Sequence, residues 1–363
     1  MITTLLAGDI GGTKTLLSLY SWDGSELVLL AEQRFVSADW DDLGPMVRRF
    51  LAESLPQGSS TSPGTPTIPH PASACLAVAG PVLGGQARLT NLPWRLSEAS
   101  LAAACTIPRV ELVNDFAILV HGLPHLGSHQ LATVREGTAL VDEPLLILGA
   151  GTGLGVALGI PTPAGLRAVA SEAAHAEFSP RTGEEWALRQ WLQQDLDLER
   201  VSIERVVSGT GLGQVARWLL HERDPQEQHP LQEIAQRWRL IAVGESHPSA
   251  DGSERVDLPA AVTQAAERGD PLAVEALALW VSAYGSVVGD LALTSLSRGG
   301  IWLAGGTAAK LLTALRTPAF AEAFLAKGRL RPTLEPMPIQ AVIDPQVGSF
   351  SAACRARALL AEL

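Results

Sequence analysis

The sequence predicts an α/β protein of two domains, and three observations carry that prediction. The chain has 363 residues, more than one ordinary hydrophobic core serves. Apolar runs of strand length alternate with stretches whose apolar residues recur at helical spacing. One device, an apolar run entering a Gly-rich turn and leaving as a second apolar run, occurs twice, about 140 residues apart: LLAGDIGGTKTLLSLY at 5–20 and LLILGAGTGLGV at 145–156.

Both copies of the device read as strand, tight turn, strand. In the second, Gly149, Gly151, Gly153 and Gly155 strip side chains from the turn and permit positive φ, so backbone N–H groups can face a phosphate at close range. A Gly-rich hairpin with no ligand satisfies the same pattern. A short amphipathic helix is expected over 43–55. It ends in PQGSSTSPGTPTIPHPAS, where five prolines forbid regular structure. This stretch reads as an exposed surface loop, because the next strand, ACLAVAGPV, belongs to the first sheet. A helix over 98–105 follows, with Ser97 as N-cap, and then the strand RVELV, which delivers Asn114 and Asp115.

Further helices are expected over 184–194 and after the Gly-rich break in SIERVVSGTGLGQVARWLL. Residues 221–258 are polar and turn-rich and read as a surface excursion. Asp270 and Pro271 form a helix start, N-cap followed by proline at the first helical position. Leu277, Trp280, Tyr284, Val287 and Leu291 then recur at spacings of three and four, so one face is buried. Gly299 and Gly300 stop that helix. The strand IWLAGG, a helix over 308–315 and the closing helix SFSAACRARALLAEL complete the chain.

Composition narrows the function. Hydrophobic residues make up 47% and charged residues 18%, so the chain folds without staples. Cys75, Cys105 and Cys354 lie far apart with no CxxC or CxxH spacing, which gives neither a zinc pattern nor a disulfide framework and fits a reducing cytoplasm. A formal net charge of −11 argues against nucleic acid as a partner. A nucleotide is still compatible, because backbone dipoles hold phosphate locally. The N-terminus reaches Asp9 too early for a signal peptide. The uncharged window 144–166 has the length of a membrane span, but its six glycines and three prolines exclude a spanning helix. A soluble, cytoplasmic protein is expected.

The Gly-rich turns exclude two familiar nucleotide folds. A dinucleotide fold needs strand, turn and helix, whereas both turns here run into β-type residues, and GxxxxGK[ST] is absent. A nucleotide gripped by two hairpin turns is the remaining nucleotide reading. Asp9 lies among apolar neighbours, where an unpaired carboxylate is expensive to bury; magnesium bound through water and a local Asx-turn are the two readings. Thr13 and Thr152 are hydroxyl donors at the turns or ordinary turn residues. Asp115 follows a predicted parallel strand at its carboxyl end, where open α/β sheets place ligands. It caps the next helix with Asn114, or, with a pKa raised by desolvation, takes a proton from a substrate hydroxyl, and the two roles are compatible. Glu172 and His175 in SEAAHAEF, with Glu204 in SIERV, are the residue types that accept or bridge several polyol hydroxyls. The competing metal site lacks HExxH and any cysteine partner.

Seven motifs, GDIGGTK, TNLPW, NDF, GAGTGLG, SEAAHAEF, ERVVSGTGL and LAGG, occur in an order and spacing that resembles the bacterial glucokinase family of the hexokinase and actin-like ATPase superfamily. The resemblance covers nearly the whole chain. It implies ATP-dependent phosphorylation of D-glucose at the 6-hydroxyl, with Mg2+, on a two-domain hexokinase/actin-like ATPase fold with ribonuclease H-like sheets around a cleft. It implies a smaller domain of 1–120 plus about 350–363, a larger one of 121–349, closure over the sugar, and a homodimer. Asp115 resembles the catalytic base, and Asn114, Glu172, His175 and Glu204 the sugar ligands. Gly8, Asp9, Ile10, Gly11, Gly12 and Thr13 resemble the first phosphate loop, with Asp9 facing the metal through water. Gly149, Gly151, Thr152 and Gly153 resemble the second, and Gly305 with Gly306 the adenosine-side turn. Three features depart from the pattern. Lys14 stands where the family commonly has Asn, Ala173 and Ala174 replace two glycines, and the Pro-rich loop is unlike the family. Two rivals stand beside this reading: a superfamily kinase of another hexose, and a non-catalytic sugar sensor, which needs a DNA-binding segment ahead of the first loop.

Overall fold

The computed structural model describes residues 2–55, 68–89, 92–163, 165–224, 226–242 and 256–361. Most of the Pro-rich loop, Thr90 and Asn91 of TNLPW, and residues 243–255 of the polar excursion lie outside them. The chain divides into two compact units. The first comprises 1–131, 157–170 and 344–363; the second comprises 132–156 and 171–343. The first unit thus takes in 157–170 and 121–131 as well as the N-terminal stretch and the closing helix.

The first unit is built on a five-stranded sheet, in the order Leu27–Val36, Lys14–Trp22, Thr3–Ile10, Ser73–Val78, Val110–Asn114. The first three strands are antiparallel and the last three parallel. The strand after the Pro-rich loop therefore does belong to the first sheet. It is buried along its whole length, as an apolar strand covered on both faces should be. Leu6, Ile10, Leu17, Leu19, Leu76, Val78 and Leu112 supply the sheet side of the core, and Met46, Val47 and Phe50 of the helix Leu43–Ser54 close it. The helix Glu98–Cys105 forms where the sequence places it, but the Ser97 side chain makes no cap bond. Glu98 Oε1 instead accepts the Leu112 amide at 2.9 Å. The closing helix, Val347–Leu359, packs on the strands Thr3–Ile10 and Ser73–Val78. Ser73 Oγ donates to the Ala356 carbonyl at 2.6 Å, and Arg355 pairs with Glu111 at 2.5 Å.

In the second unit the strands Leu145–Ala150, Gly300–Ala304 and Ile339–Val342 run parallel, with Leu131–Arg135 beyond them at the edge. The helix Pro271–Ser295 is the spine of this unit. Asp270 caps it, its Oδ1 accepting the Ala273 amide at 2.9 Å, and it ends at Leu296 in a left-handed conformation, three residues before Gly299. Its length and composition alone would let it cross a membrane, yet Trp280, Val281, Tyr284 and Val288 are all at most 1% exposed. It is a core helix. The excursion 221–258 holds a helix, Gln232–Ala242, that its polarity hid.

Close packing of that spine depends on two glycines. A Cβ at Gly285 would lie 2.3 Å from the Phe320 carbonyl oxygen, and one at Gly289 2.5 Å from that of Phe324. Both carbonyls belong to the helix Pro318–Leu325. Gly285→Ala must push two helices apart, and overpacking of this kind costs about 1–3 kcal/mol. The expected outcome is a lower urea midpoint with unchanged far-UV spectrum; an unshifted midpoint would show that the contact yields freely.

Candidate active site

The parallel strands of each unit bring a Gly-rich turn and its neighbours to one carboxyl edge. In the first unit Ile10, Val78 and Asn114 stand in register. The Ala79 amide donates to Ile10 O at 3.1 Å and the Asp115 amide to Val78 O at 2.9 Å. Turn 11–13 and Asp115 therefore leave the same edge of the same sheet. Asn114 Oδ1 accepts the amides of Phe116 and Ala117 at 3.1 and 3.0 Å, while its Nδ2 donates to Gly80 O and to Asp115 Oδ1 at 3.2 and 3.1 Å. Asn114 thus closes the turn that precedes the helix Leu119–Gly122, whose N-cap position is Ile118 with no side-chain cap bond, and its amide steadies the Asp115 carboxylate. The Asp115 side chain is exposed rather than desolvated.

The first turn is held by Ser37, which the sequence reading did not single out. Gly11 N donates to Lys14 O at 3.0 Å and Ser37 N to Thr13 O at 3.0 Å. Ser37 Oγ donates to Gly11 O at 2.8 Å and lies 3.0 Å from Thr15 Oγ1. Asp9 also departs from expectation: its side chain reaches solvent. Protein atoms still crowd its carboxyl and push the pKa above the usual 3.8, with the Arg34 guanidinium pulling it part of the way back.

The second turn is stitched more completely. The carbonyl of Ala150 accepts Thr307 Oγ1 at 2.6 Å, that of Gly151 the Gly209 amide at 2.7 Å, that of Thr152 Thr210 Oγ1 at 2.7 Å, and that of Gly153 the Gly151 amide at 2.8 Å. Leu154 N donates to Glu204 Oε2 at 2.8 Å. Among the described residues the amides of Thr152 and Gly153 donate to no protein acceptor. Four carbonyls are used and two consecutive amides are left, which is the polarity an anion requires. None of Gly8, Gly11, Gly12, Gly149, Gly151, Gly153 or Gly155 has positive φ. At three of them space opposes a side chain: a Cβ at Gly8 would lie 2.7 Å from Leu76, one at Gly11 2.9 Å from Lys14 O, and one at Gly153 2.3 Å from Glu204 Oε2. Gly305 is the exception, at φ 82°. It follows the strand Gly300–Ala304 and passes within 2.9 Å of Ala150 O, measured from where its Cβ would be; Gly306 then opens a short helix.

Glu172 precedes a single 3-10 turn, Ala173–His175, that His175 ends, and the two side chains face each other at 3.6 Å, both exposed. Their segment is laced to the one carrying Glu204: Glu177 bridges Ser202, Phe178 N donates to Val201 O, and Ile203 N donates to Ala176 O at 2.9 Å. Glu172, His175, Glu204 and the turn 151–153 thus lie in one unit. The sequence signals missed were Ser37, Thr210 and Thr307, hydroxyls that read as ordinary turn residues until their carbonyl partners are seen.

The glucokinase family model matches residues 6–359. The chain belongs to the glucokinase family. Glucokinases of Trichormus variabilis and Synechocystis sp. are 39% and 40% identical to it over 360 residues, covering 98% and 97% of this chain and 100% and 98% of theirs. The crystal structure of a glucokinase from an Antarctic psychrotroph superposes with a TM-score of 0.75 at 25% identity, over 98% of each chain. A glucokinase of the ROK family from Streptomyces griseus, solved with glucose and AMPPNP, shares the fold at 0.58 and 19%, over 98% of this chain and 99% of that one. The fold is the α/β actin-like ATPase fold, and family membership makes the chain a hexose kinase.

Asp9 yields a pH prediction. Its folded pKa lies above the unfolded value, so the folded state binds more protons and the stability penalty is present above the folded pKa. Asp9→Asn is expected to raise the unfolding midpoint at pH 7, and the gain should fade as pH falls toward 3.8. A gain that grew on acidification would contradict the crowding.

Proposed function

We propose that the chain transfers the γ-phosphoryl group of ATP to the 6-hydroxyl of D-glucose, giving glucose 6-phosphate and ADP. The observation that carries this reading is the turn 151–153, whose carbonyls are all engaged and whose free amides suit phosphate. Relatives named glucokinase that align with nearly the whole chain support the sugar.

In this reading the 6-oxygen forms the new P–O bond as the bond from the γ-phosphorus to the bridging oxygen breaks, and ADP leaves with that oxygen. The hydroxyl proton passes to Asp115, which Asn114 orients. Glu172, His175 and Glu204 hold the sugar hydroxyls, and Gly305 with Gly306 lies on the adenosine side. The turns 8–13 and 149–153 face the phosphates. Most of the catalysis is positioning and charge stabilisation. Magnesium fits as an ion carried by the nucleotide. Asp9 is a crowded carboxylate that gains from a nearby cation, and among the described residues no three metal-ligating side chains form a protein cage. Asp9 would hold such an ion through water, and the ion would supply neutralisation of phosphate charge.

The reading includes a cytoplasmic homodimer; the three cysteines, free and buried, suit a reducing compartment. A coupled assay of a hexose panel with several phosphoryl donors tests the function, and absence of turnover with every hexose would favour a sugar sensor. Asp115→Asn is expected to lower kcat by at least ~100-fold with little change in KM for glucose, in line with the contribution of a general base. Near wild-type turnover would remove Asp115 from that role.

A further inference from the structure

In the second unit the Glu204 carboxylate touches the turn it was not expected to serve. Its Oε2 accepts the Leu154 amide at 2.8 Å, and a Cβ at Gly153 would meet the same oxygen at 2.3 Å. The residue is fixed from behind. Ser208 Oγ donates to the Glu204 carbonyl at 2.8 Å while accepting the Gly211 amide at 2.9 Å, and the Ser208 carbonyl accepts the buried Trp280 indole N–H at 2.9 Å. A carboxylate has about four lone-pair sites on two oxygens. Oε2 is engaged by the turn, and among the described residues no protein donor reaches Oε1.

We infer that Glu204 is a positioning residue that couples the acceptor to the donor: the carboxylate that receives a sugar hydroxyl also sets the placement of turn 151–153. The inference rests on the reading of Glu204 as a sugar ligand given above. A hydroxyl donor arriving at Oε1 withdraws charge from Oε2 and shifts the carboxylate, and the Leu154 amide and the turn move with it. Such coupling is reciprocal: if sugar alters the turn's affinity for nucleotide, a change in the turn alters affinity for sugar by the same factor. Gly153 is therefore part of the sugar site without touching sugar.

Calorimetric titration of the full chain separates the two halves of this claim, because each ligand is measured without the other. The probes are glucose alone and AMPPNP alone. In Gly153→Ala the backbone tolerates a methyl group, since Gly153 lacks positive φ. The methyl meets the flexible end of Glu204, which must swing away from Leu154. Glucose affinity without nucleotide is expected to fall about 10-fold, within the usual range of site-to-site coupling. Glu204→Asp retracts the carboxylate and should weaken AMPPNP binding about 5-fold with no sugar present. Glu204→Gln retains an oxygen that can accept from Leu154; it should keep AMPPNP affinity within about twofold while losing glucose affinity, since the hydrogen bond rather than the charge holds the turn. Thermal midpoints of all three variants identify any that fail to fold, and the two positions test the inference independently. Wild-type AMPPNP affinity in Glu204→Asp, or wild-type glucose affinity in Gly153→Ala, would overturn the coupling. A wild-type chain that bound no hexose would overturn the sugar reading and the coupling with it, and is recognised before any substitution is made.

Discussion

A turn that offers its amides to an anion must first dispose of its carbonyls, since every buried backbone oxygen needs a donor and any oxygen facing the ligand repels it. The turn after Leu145–Ala150 meets this constraint with donors from three separate stretches: Thr307 beyond the strand Gly300–Ala304, Gly209 and Thr210 at the start of the helix Gly209–Arg223, and Gly151 within the turn. The constraint explains the placement of the elements around it. Ser208 accepts the Gly211 amide as the helix cap, its hydroxyl donates to Glu204 O, and its carbonyl holds Trp280 of the spine helix. Anchoring the turn thus extends down to the most buried side chains of the unit.

The first unit serves two of its turn's carbonyls with one residue. Ser37 sits just past the strand Leu27–Val36, fully buried, and supplies a hydroxyl for Gly11 O and an amide for Thr13 O. It can do so because the antiparallel register pairs Lys14 with Val36, which brings the residue after Val36 alongside the turn. The parallel strands then set Asn114 beside Val78 and Val78 beside Ile10, so the candidate base and the first turn share an edge by strand geometry alone. The Asn114 amide, bonded to Asp115 Oδ1, helps to hold the candidate base.

Much of this was legible in the sequence, for identifiable reasons. Strand and helix positions followed from apolar periodicity and from Asp270-Pro271, whose capping chemistry is local. The carboxyl-edge position of Asp115 followed from reading RVELV as a parallel strand. The clamps were hidden because a hydroxyl's partner is a carbonyl distant in sequence: Thr307 reaches back to Ala150, and Ser37 to Gly11. The exposure of Asp9 was hidden for a related reason. Strand alternation gave the identities of its neighbours, while the side of the strand end left open to solvent depended on tertiary packing.

The glycines show how one sequence pattern arises from unlike causes. Gly305 needs its glycine for a left-handed φ beside the Ala150 carbonyl, and a Cβ at Gly209 would approach Gly151 O to 2.7 Å, so there the backbone itself excludes a side chain. At Gly151 a Cβ would meet nothing within 4 Å. Space therefore does not demand a glycine at Gly151, unlike at Gly209. At Gly153 the excluded volume belongs to a carboxylate that can move. The GAGTGLG segment is thus met by two rigid glycine backbones, Gly209 and Gly305, is open at Gly151, and at Gly153 faces a movable wall, the Glu204 carboxylate.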